Sequence, residues 1–100
     1  MYVAIRRYRG NTTLADELAE RSDEIKSVIE PVSGFRAYYL VRANDGAASI
    51  TVCDDQSGAE ESNRVAADWI RQNMPELSAS PPEISAGEVV LATAPLPTHV

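Results

Sequence analysis

Tyrosine and arginine recur together at two places in the chain: Arg6 with Tyr8, and Arg36 with Tyr38. In each pair the residues stand two apart, so on an extended strand they share a face. A tyrosine ring supplies flat apolar surface with a hydrogen-bonding tip. A guanidinium supplies a fixed positive charge that can hold an oxyanion or stack on a ring. Together the four residues suit an acidic aromatic ligand such as a phenol or a quinone. Tyrosine and arginine are also enriched where proteins meet, so a subunit interface is the competing reading of the same residues.

The other reactive side chains point to ordinary structural roles. Cys53 is the only cysteine, so no internal disulfide forms, which suits a reducing cytoplasm. A nucleophilic cysteine needs a base beside it. None is evident, and Cys53 reads as a small buried strand residue. Asp54 and Asp55 are adjacent, so on a strand they point to opposite faces and do not converge on a cation. They read as a strand end leading into a helix. Trp69 falls on the apolar stripe of a helix and reads as core. His99 is the only histidine and lies in the last residues. No catalytic residue is assigned on these grounds, and no metal or cofactor is expected.

Charge and length exclude several classes. The formal net charge is −6, opposite in sign to the footprint that nucleic acid requires. No apolar run reaches membrane-spanning length. The start Met1-Tyr2-Val3-Ala4-Ile5-Arg6-Arg7 gains charge too early for a signal peptide. A cytoplasmic location is the expectation, with neither a membrane nor a nucleic acid as partner. Iron–sulfur binding needs several cysteines. An RNA-binding module of this chain order needs aromatic residues on its third strand, and Ser49-Ile50-Thr51-Val52-Cys53 has none.

Six elements must position the candidate residues. Tyr2 to about Arg9 alternates as a strand, with Val3 and Ile5 on one face and Tyr2, Ala4, Arg6 and Tyr8 on the other. A helix capped at Thr12 or Thr13 follows, its stripe made of Leu14, Leu18, Ile25, Val28 and Ile29 and its end set by Pro31. Phe35 to Asn44 and Ala47 to Asp54 read as a hairpin around Asp45-Gly46, a pair favoured in type I′ turns. That turn pairs Arg42 with Ser49, Leu40 with Thr51 and Tyr38 with Cys53. Ser57-Gly58-Ala59-Glu60 reads as a capping box opening a second helix, whose stripe is Val65, Ala66, Trp69 and Ile70. Glu83 to about Thr93 reads as the last strand, with Val89-Val90-Leu91 as its core. Residues 1–93 form one domain on this reading, and residues 94–100 a tail.

Strand–helix–strand, hairpin, strand–helix–strand is an α+β, ferredoxin-like β-α-β-β-α-β order. It predicts a four-stranded antiparallel sheet with two helices on one face and with the first and third strands in the middle. The apolar face of Val3, Ile5, Tyr39, Val41, Ile50 and Val52 is expected under the helices. The mixed face of Arg6, Tyr8, Arg36, Tyr38 and Leu40 is then expected outside, covered by a second copy in a homodimer.

With Gly34-Phe35-Arg36-Ala37-Tyr38-Tyr39 leading into an Asp-Gly hairpin, residues 2 to 92 resemble the dimeric α/β-barrel superfamily. The likeness is greatest to small antibiotic-biosynthesis-monooxygenase-like proteins of bacteria. The resemblance implies two facing sheets, a cavity between a sheet and its helices or between subunits, and no metal or flavin. It implies that the ligand is a small aromatic, polyketide- or quinol-like molecule, oxidised by oxygen while Arg6 or Arg36 steadies a phenolate. Other members degrade haem with an asparagine near the first strand, a tryptophan and a helix histidine. Trp69 matches in type, but no histidine does, and Arg6 and Arg7 stand where the asparagine belongs. A non-catalytic ligand-binding or structural dimer of the same fold is the alternative.

Overall fold

In the computed structural model, which describes residues 1–93, the chain runs β1 (Tyr2–Arg9), α1 (Leu14–Glu20), α2 (Ser22–Ile29), β2 (Phe35–Ala43), β3 (Gly46–Cys53), α3 (Gln56–Asn73), a 3₁₀ helix (Pro75–Ala79) and β4 (Glu83–Glu88). The tail assigned to residues 94–100 lies outside the described residues. The sheet order is β2-β3-β1-β4 and every neighbouring pair is antiparallel. This is the predicted ferredoxin-like α+β arrangement, with β1 and β3 central.

The first helical segment is not continuous. It breaks at Arg21, whose side chain turns across to α3, its guanidinium 5.0 Å from the Trp69 ring centre and hydrogen-bonded to Asn73. That contact ties α1 and α2 to α3. The start of α3 also differs from expectation. Its N-cap is Asp55, which accepts from the Gly58 N–H at 3.0 Å, and not Ser57.

The hairpin loop is Asn44-Asp45, one step earlier than predicted, and among the described residues none other than glycine has positive φ. Leu40 therefore faces Ser49, and Tyr38 faces Thr51. Each pairing is shifted by two residues from the expected one, so facing is preserved. The last strand is shorter than expected. It ends at Glu88, and Val90 and Leu91 stand 90% and 81% exposed.

The largest departure concerns the two faces of the sheet, which are exchanged. Ala4, Arg6, Tyr8, Ala47, Ser49, Thr51 and Cys53 are buried beneath the helices, with Tyr38 and Leu40 packed against the same core. Tyr39 and Val41 lie outside, 57% and 42% exposed, on the face that also carries Val3, Ile5, Ile50 and Val52. Close packing is the reason. α3 meets the sheet through Gly58, Ala59 and Ser62. A Cβ at Gly58 would stand 2.6 Å from the Ser33 carbonyl oxygen and 3.0 Å from Cys53 Cβ. An approach this close selects the sheet face with small alanine, serine and cysteine side chains, and leaves the β-branched face to be covered from outside.

Gly46 opens β3 with a φ of +154°, opposite Arg9, and a Cβ there would meet the Tyr8 carbonyl oxygen at 1.9 Å. Gly46→Val should destabilise the fold by at least about 1–3 kcal/mol, because it forces β1 and β3 apart at the Tyr8 position. Denaturant unfolding checks this. An unchanged midpoint would contradict the close approach of the two strands.

Candidate functional site

Arg6 lies in the middle of β1, paired with Ser49 on one side and Ile84 on the other, and is 1% exposed. Its side chain runs between the sheet and α3. Nε donates to Ser49 Oγ at 2.9 Å, and Nη2 to Thr51 Oγ1 at 2.7 Å. Nη1 donates to Asn63 Oδ1 at 2.7 Å and to Ser62 Oγ at 3.3 Å. A guanidinium has five N–H donors. These bonds occupy four of them, and the Tyr8 and Tyr38 phenols also lie within hydrogen-bonding reach of the guanidinium. All four acceptors are neutral, and none of the ion pairs among the described residues includes Arg6. The charge is oriented but not neutralised. Burial pushes the Arg6 pKa below its ordinary value, opposed by the nearby Tyr8 and Tyr38 phenols.

Two of the predicted partners join Arg6. Tyr8 follows it on β1 and faces the same way, and Tyr38 lies across the sheet on β2. Burial pushes both phenols above their ordinary pKa, with the Arg6 charge pulling them back down. At neutral pH they are hydrogen-bond donors and not bases. The fourth, Arg36, does not join the group. It occupies an irregularity in β2 where pairing steps from Phe35 opposite Cys53 to Ala37 opposite Val52. The extra residue turns Phe35 inward and Arg36 outward. Arg36 is exposed and forms an ion pair with Asp54 instead.

A cavity of about 250 Å³ opens between β1, α3 and the segment leading into β4. Arg6 and Asn63 supply its buried polar wall, and Arg71 also lines it. Tyr8, Ile70, Leu77, Pro82 and Ile84 supply apolar walls. Tyr38 lies apart from this cavity, beside a small void shared with Tyr8, Ser49 and Trp69 and an open groove under α1 and α2. Asn63, Ser62 and Thr51 had no place among the predicted site residues. The available signal was Ser62-Asn63, two small polar residues beside the apolar stripe of α3. Asn63 Oδ1 accepts from Arg6, so its amide nitrogen remains to donate to a ligand.

The remaining candidates are inert. Burial, followed by the Asp54 and Asp55 charges, pushes the Cys53 thiol up, away from thiolate. Asp55 is held low by the Gly58 N–H and then by the Ser57 hydroxyl, as a helix cap. Trp69 is buried in the core. Among the described residues no cluster of His, Cys, Asp or Glu could hold a metal ion. No described helix is long and apolar enough to cross a membrane.

No protein-family model and no curated protein matches the sequence. Solved structures do. A protein of unknown function from Nitrosomonas europaea is 20% identical, with a TM-score of 0.69 over 94% of this chain and 93% of that one. A mutant of MhuD, a haem degrader from Mycobacterium tuberculosis, solved with two manganese protoporphyrin IX per active site, is 18% identical. Its TM-score is 0.73 over 95% of this chain and all of that one. A monooxygenase from Streptomyces coelicolor in complex with Nanaomycin D is 16% identical, with a TM-score of 0.68 over 94% and 91% of the two chains. The chain shares the fold of the antibiotic-biosynthesis-monooxygenase-like proteins.

The two raised phenol pKa values have a consequence at alkaline pH. An unfolded chain releases tyrosine protons near pH 10, before the folded Tyr8 and Tyr38 do. Their contribution is complete below that pH and is lost as pH rises through the folded values. Tyr8→Phe and Tyr38→Phe should each flatten the alkaline fall in stability relative to wild type. The opposing effect of Arg6 is present in all three proteins. Unfolding midpoints measured from pH 8 to 11 check this, and parallel curves would contradict the burial of these phenols.

Proposed function

We propose that the cavity binds a small anionic aromatic molecule with Arg6 as its counter-charge, and that the chain acts on it as a cofactor-independent monooxygenase. The observation that carries this reading is a buried guanidinium, held by four neutral oxygens, on the wall of a cavity with no carboxylate among its described lining residues. A charge left uncompensated in a low dielectric attracts an anion far more strongly than it would in water. The cavity's 250 Å³ lies just below the usual range of about 300–1,000 Å³ for ligand sites, so the ligand has one or two rings. That size, and the lack of a histidine among the described residues, fits haem poorly. The monooxygenase bound to Nanaomycin D, a neighbour in fold, supports a quinol- or polyketide-like compound.

On this reading, Arg6 favours the phenolate form of the substrate, and Asn63 donates a second hydrogen bond to it. Tyr8 stays protonated and offers its ring and hydroxyl. A ring methylene conjugated with the phenol oxygen gives one C–H proton to water, and the resulting phenolate, which carries carbanion character at that carbon, passes one electron to dioxygen. The substrate radical and superoxide join as a peroxide anion, which takes a proton from water. Loss of water, with the second C–H hydrogen, leaves a carbonyl. Two C–H bonds and the O–O bond are broken. One oxygen atom stays in the product and the other leaves as water. A non-catalytic ligand-binding dimer is the second reading, and one observation favours it: no described residue lining the cavity is a base at neutral pH.

A homodimer completes the proposal. The outer sheet face carries Val3, Ile5, Tyr39, Val41, Ile50 and Val52, a contiguous apolar surface suited to a second copy. The sheet face once assigned to that contact is the one beneath the helices. A cytoplasmic location accords with Cys53 as a free thiol.

Light scattering should give about twice the chain mass, and Val41→Glu should shift it toward the monomer. A monomeric wild type at micromolar concentration would remove the dimer. A panel of phenols and quinols, followed by calorimetry and oxygen uptake, tests the chemistry. Arg6→Met should weaken binding of anionic members by about 1.5–3 kcal/mol, the value of a charge-assisted hydrogen bond. Binding without oxygen uptake above the blank would favour the non-catalytic reading. No binding tighter than millimolar would reject both.

A further inference from the structure

The cavity wall carries a second cation. Arg71 lines it together with Arg6, yet the two guanidiniums stand in different settings. Arg6 is 1% exposed, on the buried side of the cavity wall. The Arg71 side chain is 62% exposed, at its mouth. The same cavity has apolar lining from Tyr8, Ile70, Leu77, Pro82 and Ile84. The protein as a whole has 15 acidic side chains against nine lysines and arginines, but the described residues lining this cavity include two arginines and no acid. Such a local reversal of sign is what an acidic ligand requires.

Arg71 is not fully used by the protein. Its Nη2 pairs with Asp68 Oδ1, and its Nε and Nη1 have no described partner. Asp68 is itself shared, because its other oxygen accepts from Arg64 Nη1 at 3.1 Å. Asp68 therefore orients Arg71 and leaves it donors for a carboxylate.

We infer that the ligand carries two acidic oxygen groups at opposite ends of a ring system, and that Arg71 selects for the outer one. The inner group is the phenolate that meets Arg6. The outer is a carboxylate at the cavity mouth. Arg71 is thus a specificity residue, and Asp68 a positioning residue behind it. The inference rests on the proposed anion site at Arg6, and the test keeps the two apart.

The probes are 6-hydroxy-2-naphthoate, which has an acid at each end of a bicyclic ring, and its methyl ester, which keeps only the phenol. Binding is measured by calorimetry at two salt concentrations. The wild type should prefer the acid by about tenfold, the factor given by about 1.4 kcal/mol. The preference should shrink at high salt, because the mouth contact is exposed. Arg71→Gln should bring the acid-to-ester ratio to about one, and Arg71→Lys should restore part of it. Arg6→Met should weaken both probes. If the wild type binds acid and ester equally and Arg6→Met weakens both, the role of Arg71 is overturned and the Arg6 site stands. If Arg71→Gln weakens both probes by the same factor, Arg71 acts through packing and the inference fails. If neither probe binds the wild type, the inference and the anion site fail together.

Discussion

A guanidinium held out of water without a carboxylate is the constraint on which the rest of this structure turns. Removing such an ion from water costs several kcal/mol even after relaxation. Four hydrogen bonds to neutral oxygens offset part of that cost. Those oxygens come from β3 and α3, so Arg6 fixes how the helix sits on the sheet. Ser49 and Thr51 must face inward with it. Ser62 must lie over β1, and it does so while its own hydroxyl donates to the Ala59 carbonyl at 2.6 Å. Small residues on both surfaces follow from the same requirement, since a bulky strand face would hold α3 too far away.

That arrangement links fold to site. The polar cluster makes a rigid positive wall, and the 3₁₀ helix and the prolines before β4 hold Leu77 and Pro82 opposite it, enclosing a cavity. Burial raises the neighbouring phenols and so keeps them protonated, making the site a set of donors around one cation. Such a site is complementary to an oxyanion. It does not itself supply a base, which leaves acidification of the substrate to the charge of Arg6.

Much of the architecture was legible in the sequence. The order of elements, the central position of β1 and β3, and the stripes Leu14-Leu18-Ile25-Ile29 and Trp69-Ile70 follow from periodicity and capping. Which sheet face would be buried did not. Apolarity points to Val3, Ile5, Ile50 and Val52, and that inference assumes that polar residues seek water. Arg6, Ser49 and Thr51 hydrogen-bond one another, which offsets part of the penalty of their polarity beneath the helices. The deciding signal was size, in the Gly58-Ala59 and Ser62 surface of α3 and in Ala4, Ala47 and Cys53. Arg36 was misplaced because one extra residue in β2 reverses facing, and strand alternation gives no warning of it. Asn63 was missed because a lone asparagine on a helix acquires meaning only beside the arginine it holds.

On this reading Arg6 serves a ligand as well as the packing of α3 on the sheet. The most direct measurement is the denaturant stability of wild type and Arg6→Met, each with and without a hydroxynaphthoate. Methionine removes the charge and also the donor to Ser49, Thr51 and Asn63, so the ligand-free variant should be less stable than wild type. The hydroxynaphthoate should stabilise wild type but not the variant. A variant that the probe stabilises as much as it does wild type would contradict the ligand role and make Arg6 a structural residue.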